Sequence, residues 1–439
     1  MKSIDFFDRT FYPSGLSYSL IMSTGIETDL ALLRSNAGPY ADMLSGDNSF
    51  YLPSVTPEIL SMALAAGTRV EVTPRSSINT WGTTTIFEIN QQLPEIARFT
   101  VNLTVSPITH NGTYLYWCEN WLQQIFQYIR YKDNNFGQLI IYTPEDLIDE
   151  FRLLPITEQE HVADQYQLGL TQAQRSTLAA AGFTANFPLP SWICERPSHL
   201  LRAQMLACPM TIELAIPALN TLINTDATTV AGGTITITLT YVGRISTPAE
   251  RNITAAVINT DVGTTMQVRN YFYYEIGRIP AGTTSITFQI DVIKGPVRAL
   301  DLFFRAWNDV HGSTLTPIQN EYTRFLPQYK PDYLEIKSGT QYMVQRIATR
   351  IINRDNRAYL HSRSHPEYMG GLVRIDMADR PDDDLKYNSG YLDFNFAGVP
   401  VVNLWFNSAT TQDISFGILA KTTGWLNHTR GNIRPISNN

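Results

Sequence analysis

The stretch that decides the fold is "GTITITLTYVG", residues 233–243, in which apolar and hydroxylated side chains alternate. Its apolar positions include Ile235, Ile237 and Leu239. The positions between them are Thr234, Thr236 and Thr238. Because successive side chains of a strand point to opposite faces, one face of this strand packs against a core and the other meets water. The pattern is typical of an antiparallel sandwich sheet and not of a parallel strand buried on both faces.

Short β-branched or alternating segments of the same kind recur along the chain and end at Pro, Gly or Asn. They cover 68–74, 83–90, 97–107, 137–144, 210–217, 264–276, 283–293, 297–307, 370–378 and three segments within 388–420. Helical patterns are fewer and predict helices over 56–67, 120–132, 143–155 and 170–183. The predicted fold class is therefore all-β, with short helical insertions in the loops of β-sandwiches.

The length of the chain predicts two domains. A chain of 439 residues and 49.5 kDa exceeds one ordinary hydrophobic core. The best boundary lies in "IPALNTLINTDATTVAGG", residues 216–233, which is rich in Pro, Asn, Asp and Gly. We predict a first sandwich over 1–222, including an N-terminal arm, and a second over 223–439, each with enough strands for an eight-stranded sandwich.

The charge content limits the classes of partner. Charged residues make up 17% of the chain, below the roughly 25% of an average domain. Charge is depleted at the cores of protein interfaces, so this composition suits extensive contact with other subunits, and it equally suits a glycan-binding or glycosylated surface. The net charge of −7 argues against a large nucleic-acid footprint, and no direct nucleic-acid partner is expected.

Cysteine usage and hydropathy bear on the compartment. Cys118, Cys194 and Cys208 are too few and too scattered for a disulfide framework or a zinc site, and we interpret them as buried or incidental thiols. No apolar run approaches the ~18 residues that a membrane span needs, and the first residues lack the apolar stretch of a signal peptide. We expect synthesis in a reducing compartment, the cytoplasm or nucleus.

Two clusters suggest metal binding only superficially. His361 and His365 are four residues apart with Glu367 nearby, but Ser362 stands where a zinc helix needs glutamate and Pro366 blocks a helix. In "RPDDDLKYNSG", 380–390, Asp382 and Asp384 occupy alternating positions, but Lys386 fills the next one. Surface or structural roles are the prediction for both clusters, and neither a metal nor a cofactor is predicted.

The sequence contains no nucleophile elbow, dinucleotide-binding turn or phosphate-binding loop, so no catalytic residue is predicted. Paired glycosidase carboxylates stay open because they are often distant in sequence. Glu213 and Asp393 lie on predicted strands, where an outward polar position is the simpler interpretation. The aromatic run "YFYYE", 271–275, fits a sugar-stacking platform, but half core and half interface fits a sandwich better.

Four Asn-x-Ser/Thr triplets occur, at Asn102, Asn111, Asn252 and Asn427. Without a signal peptide, glycosylation in the secretory pathway is not expected at these sites. In a chain rich in Thr and Asn, such triplets also arise by chance.

Three separated segments resemble one known family. "FPLPSWICERPSHLLRAQMLACPMTIELAI", 187–216, resembles the late part of the first jelly roll in double-jelly-roll major capsid proteins. "KGPVRALDLFFRAW", 294–307, is similar to the second-domain stretch in which a basic lead enters an apolar strand ending in Trp. The closing segment from 388 onward resembles the family's ending, with Ser-Gly, alternating strands and a glycine turn. Such proteins occur in nucleocytoplasmic large DNA viruses, polinton-like viruses, adenovirus and PRD1-type phages.

The resemblance implies an architecture and a role. It implies two tandem eight-stranded jelly-roll sandwiches, and three chains that form a pseudo-hexameric capsomer tiling an icosahedral virion shell. The implied partners are two further copies of the chain in a homotrimer, neighbouring capsomers, a penton, minor capsid or cement proteins, and an internal membrane in some viruses. The role is structural, without catalysis. The alternatives that stay open are a carbohydrate-binding or carbohydrate-cleaving β-sandwich protein, and a minor capsid, spike or penton protein.

Overall fold

The computed structural model describes residues 68–72, 80–89, 95–147, 165–192, 201–244, 264–311, 329–352, 372–377, 391–394 and 399–435. Over these residues the chain forms two β-sandwiches that follow one another along the sequence. The all-β fold class is confirmed.

The first sandwich is built from strands that pair in two four-stranded sheets. In chain order its strands are β1 (Thr68–Val72), β2 (Thr84–Ile89), β3 (Glu95–Val105), β4 (Ile108–His110), β5 (Leu115–Trp117), β6 (Tyr128–Asp133), β7 (Gly137–Tyr142), β8 (Phe183–Pro188), β9 (Met210–Ala215), β10 (Ile223–Thr225), β11 (Val230–Gly232) and β12 (Ile235–Arg244). One sheet has the order β1-β12-β3-β8 and the other β2-β9-β6-β7. Two small ribbons, β10-β5 and β11-β4, extend the loops.

The second sandwich follows the same plan. Its strands are β13 (Thr264–Ile279), β14 (Ser285–Gln289), β15 (Pro296–Ala306), β16 (Tyr333–Ser338), β17 (Gln341–Ala348), β18 (Leu372–Asp376), β19 (Leu392–Asp393), β20 (Pro400–Trp405), β21 (Ile414–Thr429) and β22 (Asn432–Pro435). One sheet has the order β13-β21-β15-β18, with β19 beside β15 and β22 beside β21. The facing sheet has the order β14-β20-β16-β17.

The strand order identifies both sandwiches as jelly rolls. When the eight main strands of each sandwich are numbered along the chain, the two sheets have the orders 1-8-3-6 and 2-7-4-5 in both cases. This interleaving of two Greek keys across two sheets is the jelly-roll connectivity. The two halves therefore repeat one topology although the sequences of their strands differ.

The alternating stretch behaves as the sequence predicts. On β12, Ile235, Ile237 and Leu239 are at most 3% exposed and belong to the first core. Thr236 is exposed and Thr238 is half-buried on the opposite face. The strand thus contributes one apolar face to the core of a sandwich, as its period of two requires.

The helices are short. Helix α1 (Gln172–Ala181) begins at Thr171, which forms a capping box with Gln174, and ends at Gly182, whose φ of 72° suits glycine. The prediction over 170–183 is therefore confirmed. Helix α2 (Trp307–His311) follows β15. Of the helix predicted over 143–155, residues 144–147 are helical and those beyond 147 lie outside the described residues, as does all of 56–67.

The helix predicted over 120–132 is wrong. Residues 128–133 form β6, which pairs with both β7 and β9. Its side chains alternate between half-buried and buried, with Ile129 and Tyr131 in the core. The apolar stripe at helical spacing misled the prediction because the short turn that precedes β6 contributes Leu122 and Ile125 to the same core.

The predicted boundary between residues 222 and 223 does not follow the strand pairing. Strand β12, which the prediction assigned to the second sandwich, lies between β1 and β3 of the first. Strands β10 and β11 also pair with β5 and β4 of the first half. The turn-rich segment 216–233 connects strands within one sandwich, because a jelly roll needs its eighth strand beside its first. We propose that the domains divide between β12 and β13.

Candidate functional site

The candidate functional feature among the described residues is the buried contact between the two sandwiches. All eleven residues of β15 are buried. Leu300, Leu302 and Phe304 face the core of the second sandwich. Phe303, which points to the opposite face, belongs to the same buried cluster as the core of the first sandwich. The first sandwich therefore covers the outer face of this sheet.

The contact has a large apolar part. Seven residues of the second sandwich are buried within the cluster of the first: Val268, Tyr271, Phe303, Leu372, Leu419, Leu426 and Ile433. Strand β13 lies against β7, and β22 lies against β6 and β7. Burying each of the larger side chains contributes about 1.5–3 kcal/mol, so the hydrophobic effect strongly favours the docked arrangement.

An ion pair lies within this apolar surface. Nη1 of Arg305 on β15 is 3.0 Å from Oε1 of Glu145 just after β7, and the two side chains are 3% and 8% exposed. Arg305 also donates a hydrogen bond to the hydroxyl of Tyr273. Burial raises the pKa of Tyr273 far above its usual value, although the charge of Arg305 acts in the opposite direction. The tyrosine therefore stays protonated and accepts the hydrogen bond as a neutral group.

A second buried pair lies on the same face. Nζ of Lys421 on β21 is 3.3 Å from Oδ2 of Asp301 on β15. Their side chains are 4% and 0% exposed, and the Lys421 ammonium lies 6.0 Å from the ring centroid of Tyr271. Because the two opposite charges pair within one sheet, the outer face of that sheet is covered by the first sandwich without leaving either charge unpaired.

Hydrogen bonds between backbone and side-chain groups join the two sandwiches where β22 begins. Asp133 at the end of β6 accepts a hydrogen bond of 3.0 Å from the amide of Ile433. Asn135 donates to Asn432 across 2.6 Å, and the amide of Ala207 donates to the carbonyl of Gly431. Gly431 has a φ of 76°, and a Cβ there would come within 2.8 Å of the Ala207 nitrogen. Glycine at this turn is therefore required both by conformation and by close approach.

A buried histidine completes this end. His428 on β21 is fully buried and is affected by the charge of Arg202 in the first sandwich, which itself forms an ion pair with Glu95. Burial, and secondly the charge of Arg202, lower the pKa of His428 to about 3. The imidazole is therefore neutral across the ordinary pH range. Separation of the sandwiches would expose this group together with the apolar cluster, so the structure favours a single relative arrangement of the two sandwiches.

The candidate carboxylates do not form a catalytic pair. Glu213 on β9 lies 3.3 Å from Arg130 and 2.5 Å from Lys132, its neighbours on β6. Asp393 lies on β19 at the edge of the second sandwich, opposite Pro296. The two carboxylates therefore belong to different sandwiches, and Glu213 is engaged in cross-strand ion pairs.

The aromatic run 271–275 is divided between two packed surfaces. Tyr271 is buried in the contact with the first sandwich, and Tyr273 packs against the same cluster. Tyr274 packs against the core of the second sandwich. The prediction of half core and half interface is confirmed, and the interface is the one within the chain.

Three of the four triplet asparagines are described. Asn102 donates to Thr240 across 2.7 Å on the outer face of the first sandwich. Asn111 accepts hydrogen bonds from the amides of Thr228 and Thr229 in a turn. Asn427 is only 3% exposed. Asn252 lies outside the described residues.

The two described cysteines are free thiols. Burial raises the pKa of Cys118 to about 12, so this thiol is protonated and unreactive. Cys208 is half-buried, and Cys194 lies outside the described residues. The candidate residues His361, His365, Glu367, Asp382 and Asp384 lie outside the described residues as well.

Within the described part of the chain, no group of three or more His, Cys, Asp or Glu side chains is arranged to hold a metal ion. Over the same residues, no helix has the length and apolar character needed to cross a membrane.

Sequence reasoning missed Glu145, Arg305 and Lys421. A signal for Arg305 was present in "VRALDLFFRA", 297–306, where Asp301, Phe303 and Arg305 alternate with apolar residues. Charged and aromatic residues that share the outer face of an apolar strand indicate a second packed surface. Glu145, the partner of Arg305, and the cluster that buries Phe303 belong to the other half of the chain, and no local pattern links them to this strand.

Comparison with known proteins supports the fold. No protein-family model matches the chain, and no curated protein matches its sequence. The VP54 protein of PBCV-1 is 13% identical with a TM-score of 0.63, covering 85% of this chain and 97% of its own. The Faustovirus major capsid protein is 11% identical with a TM-score of 0.61, over 83% and 90%. The mavirus major capsid protein is 10% identical with a TM-score of 0.51, over 84% and 90%. This chain has the double-jelly-roll fold of these viral capsid proteins.

Proposed function

We propose that the chain is a structural major capsid protein whose copies build the icosahedral shell of a virion. The observation that carries the proposal is the tandem of two jelly rolls with one strand order, joined by a buried contact. The solved structures with this fold include proteins named as major capsid proteins. A rigid unit with two similar lobes suits a building block, because repeated contacts between copies require a fixed geometry.

Three copies form a homotrimer in this proposal, and the six jelly rolls give it a pseudo-hexameric outline. Trimers then meet neighbouring capsomers, with a penton at the vertices and minor capsid or cement proteins at joints. The low charge content supports this role, since interface cores are depleted of charged residues. A closed double-sheet roll also hides most strand edges, which limits open-ended strand pairing.

No catalysis is part of the proposal. The carbohydrate alternative has no supporting observation among the described residues, since Glu213 is held by Arg130 and Lys132 and the aromatic run is packed. The localisation is the virion, after synthesis in the host cytoplasm or nucleus.

Sedimentation velocity of the purified chain at micromolar concentration tests the proposal. The expected result is a stable particle of three times the 49.5 kDa chain mass. A chain that stays monomeric under these conditions contradicts the proposal. A glycan array and a polysaccharide hydrolysis assay on the same preparation are expected to give no binding and no turnover.

A further inference from the structure

The two sandwiches correspond residue by residue along their central strands. In the first, the pairing of β12 with β3 begins at Ile235–Val105 and runs for eight pairs to Val242–Arg98 before the register shifts. In the second, the pairing of β21 with β15 begins at Ile414–Ala306 and runs for eight pairs to Lys421–Ala299 before the register shifts. The equal lengths and matching shifts identify structurally equivalent positions in the two sheets.

The outer faces at these equivalent positions differ in what covers them. On the second sandwich the outward residues Asp301, Phe303 and Arg305 are buried under the first sandwich. Their equivalents on the first sandwich are Thr100, Asn102 and Thr104. On the neighbouring strand, Thr236, Thr238 and Thr240 correspond to Ser415, Gly417 and Leu419. We name these six residues of the first sandwich the threonine face: Thr100, Asn102, Thr104, Thr236, Thr238 and Thr240.

None of the six residues of the threonine face is charged, and all six are at least partly accessible to solvent. Thr104 and Thr236 are exposed, and its other members are half-buried. Asn102 bridges Thr238 and Thr240 by hydrogen bonds of 3.3 and 2.7 Å, so its polar groups are already partly satisfied within the face. Because the face carries no ionised side chain, a partner that covers it removes no charge from water, and Thr238 and Thr240 keep their hydrogen bonds with Asn102.

The part of the first sandwich that covers the second has a structural equivalent in the second sandwich. The covering surface is formed by β7, the turn between β6 and β7, and Glu145 just beyond. In the second sandwich the equivalent strand is β17, the last strand of its sheet. We name Gln341–Ala348 the β17 edge. Its Tyr342 is 55% exposed, which makes it the most exposed large apolar side chain among the described residues.

We propose that the threonine face of one copy binds the β17 edge of the next copy. This inference rests on the proposed function, because it names the surfaces through which capsomer copies meet. The contact within the chain joins the β7 side of one jelly roll to the outer face of the next. The same relation between two chains places the β17 edge of one copy against the threonine face of another. Such head-to-tail contacts generate a closed ring when the rotation closes, and first and second sandwiches then alternate around the ring.

A charge placed on the threonine face tests the inference. The variant Thr104→Arg, Thr238→Arg puts two cations on the proposed contact, and both positions are solvent-accessible in the isolated chain. The matched control is Thr287→Arg on β14, another exposed strand threonine with one cross-strand side-chain hydrogen bond, to Asn403. Sedimentation velocity is expected to show trimers for the wild type and the control and monomers for the double variant. Equal melting temperatures of the double variant and the control, both measured at a concentration low enough for monomers, verify that the double variant is folded.

A mixing experiment tests the head-to-tail sense. The variant Tyr342→Asp carries an intact threonine face and an altered β17 edge. Alone, it and the threonine-face variant are each expected to be monomeric. Mixed at about 100 µM each, they retain one compatible pair of surfaces and are expected to form a one-to-one heterodimer, but no closed ring. A mixture that contains only monomers overturns the assignment.

The outcomes separate the two proposals. If the wild type and the threonine-face variant both form trimers, the surface assignment is wrong and the proposed function stands. If the wild type itself does not assemble, the proposed function is wrong, and the surface assignment that rests on it is overturned as well.

Discussion

The ion pair between Arg305 and Glu145 makes the docking of the two sandwiches testable by one substitution. Arg305→Met keeps much of the side-chain volume and removes the cation. Glu145 then stays in a site where it is only 8% exposed, without its partner. Removing one partner of a buried ion pair costs about 3–5 kcal/mol, since the remaining charge is left uncompensated. The hydrogen bond to Tyr273 is lost in the same variant.

Thermal and urea denaturation measure this loss. For domains of this size each kcal/mol lowers the melting temperature by about 2–4 °C, so the expected decrease is about 6–20 °C. The control is Arg278→Met, whose pair with Asp413 has side chains 51% and 29% exposed and is screened by water. The control is expected to shift the melting temperature by much less.

The double variant Glu145→Gln, Arg305→Met separates the pair from its surroundings. Because it leaves no unpaired charge, it is expected to recover part of the stability that Arg305→Met loses. The reasoning is refuted if Arg305→Met unfolds at the same temperature as Arg278→Met. It is also refuted if the double variant is destabilised by the sum of the losses measured for Glu145→Gln alone and Arg305→Met alone.

Three further predictions concern the same contact and the division of the chain. Phe303→Ala is expected to destabilise the protein by about 3–5 kcal/mol in urea denaturation, whereas Phe136→Ala, at a side chain 48% exposed, changes little. Because the folded pKa of His428 is about 3 and the unfolded value is near 6.5, the unfolded chain takes up the proton first as pH falls. Stability is therefore expected to fall between pH 6.5 and pH 3, with a shallower slope in His428→Gln; equal slopes contradict the assignment. A fragment 1–222 is expected to show no cooperative unfolding by circular dichroism, whereas a fragment 1–244, which includes β12, unfolds cooperatively.

The fold was predictable because alternation is local. The face of Ile235, Ile237 and Leu239 requires a period of two whatever the partner strands are. Turn residues also locate the ends of most strands. They do not state which strands pair, and this explains the misplaced boundary: residues 216–233 contain every turn signal, yet the strand beyond them returns to lie between β1 and β3.

The helix error has a related cause. Leu122, Ile125 and Ile129 are apolar at helical spacing because a turn and a strand deliver them to one core, not because one helix does. Pairing of β6 with two neighbouring strands outweighs the local pattern. Long-range strand pairing is information that a single segment does not carry.

The contact between the sandwiches was beyond the reach of sequence reasoning for the same reason. Glu145 and Arg305 are far apart along the chain, and each alone is an ordinary surface residue type. The alternation along β15 places Arg305 on one face with Phe303 and Asp301, but only the three-dimensional structure shows that Glu145 lies against that face. The equivalent face of Thr100, Asn102 and Thr104 is polar by sequence, and its importance follows only from comparing the two sheets.

Electron microscopy of the purified protein tests the central claim most directly. If two jelly rolls are fixed side by side and copies meet through their remaining faces, class averages viewed along the symmetry axis will show three chains in a six-lobed ring. Single two-lobed particles at micromolar concentration, or particles whose lobes vary in relative orientation, would contradict the account.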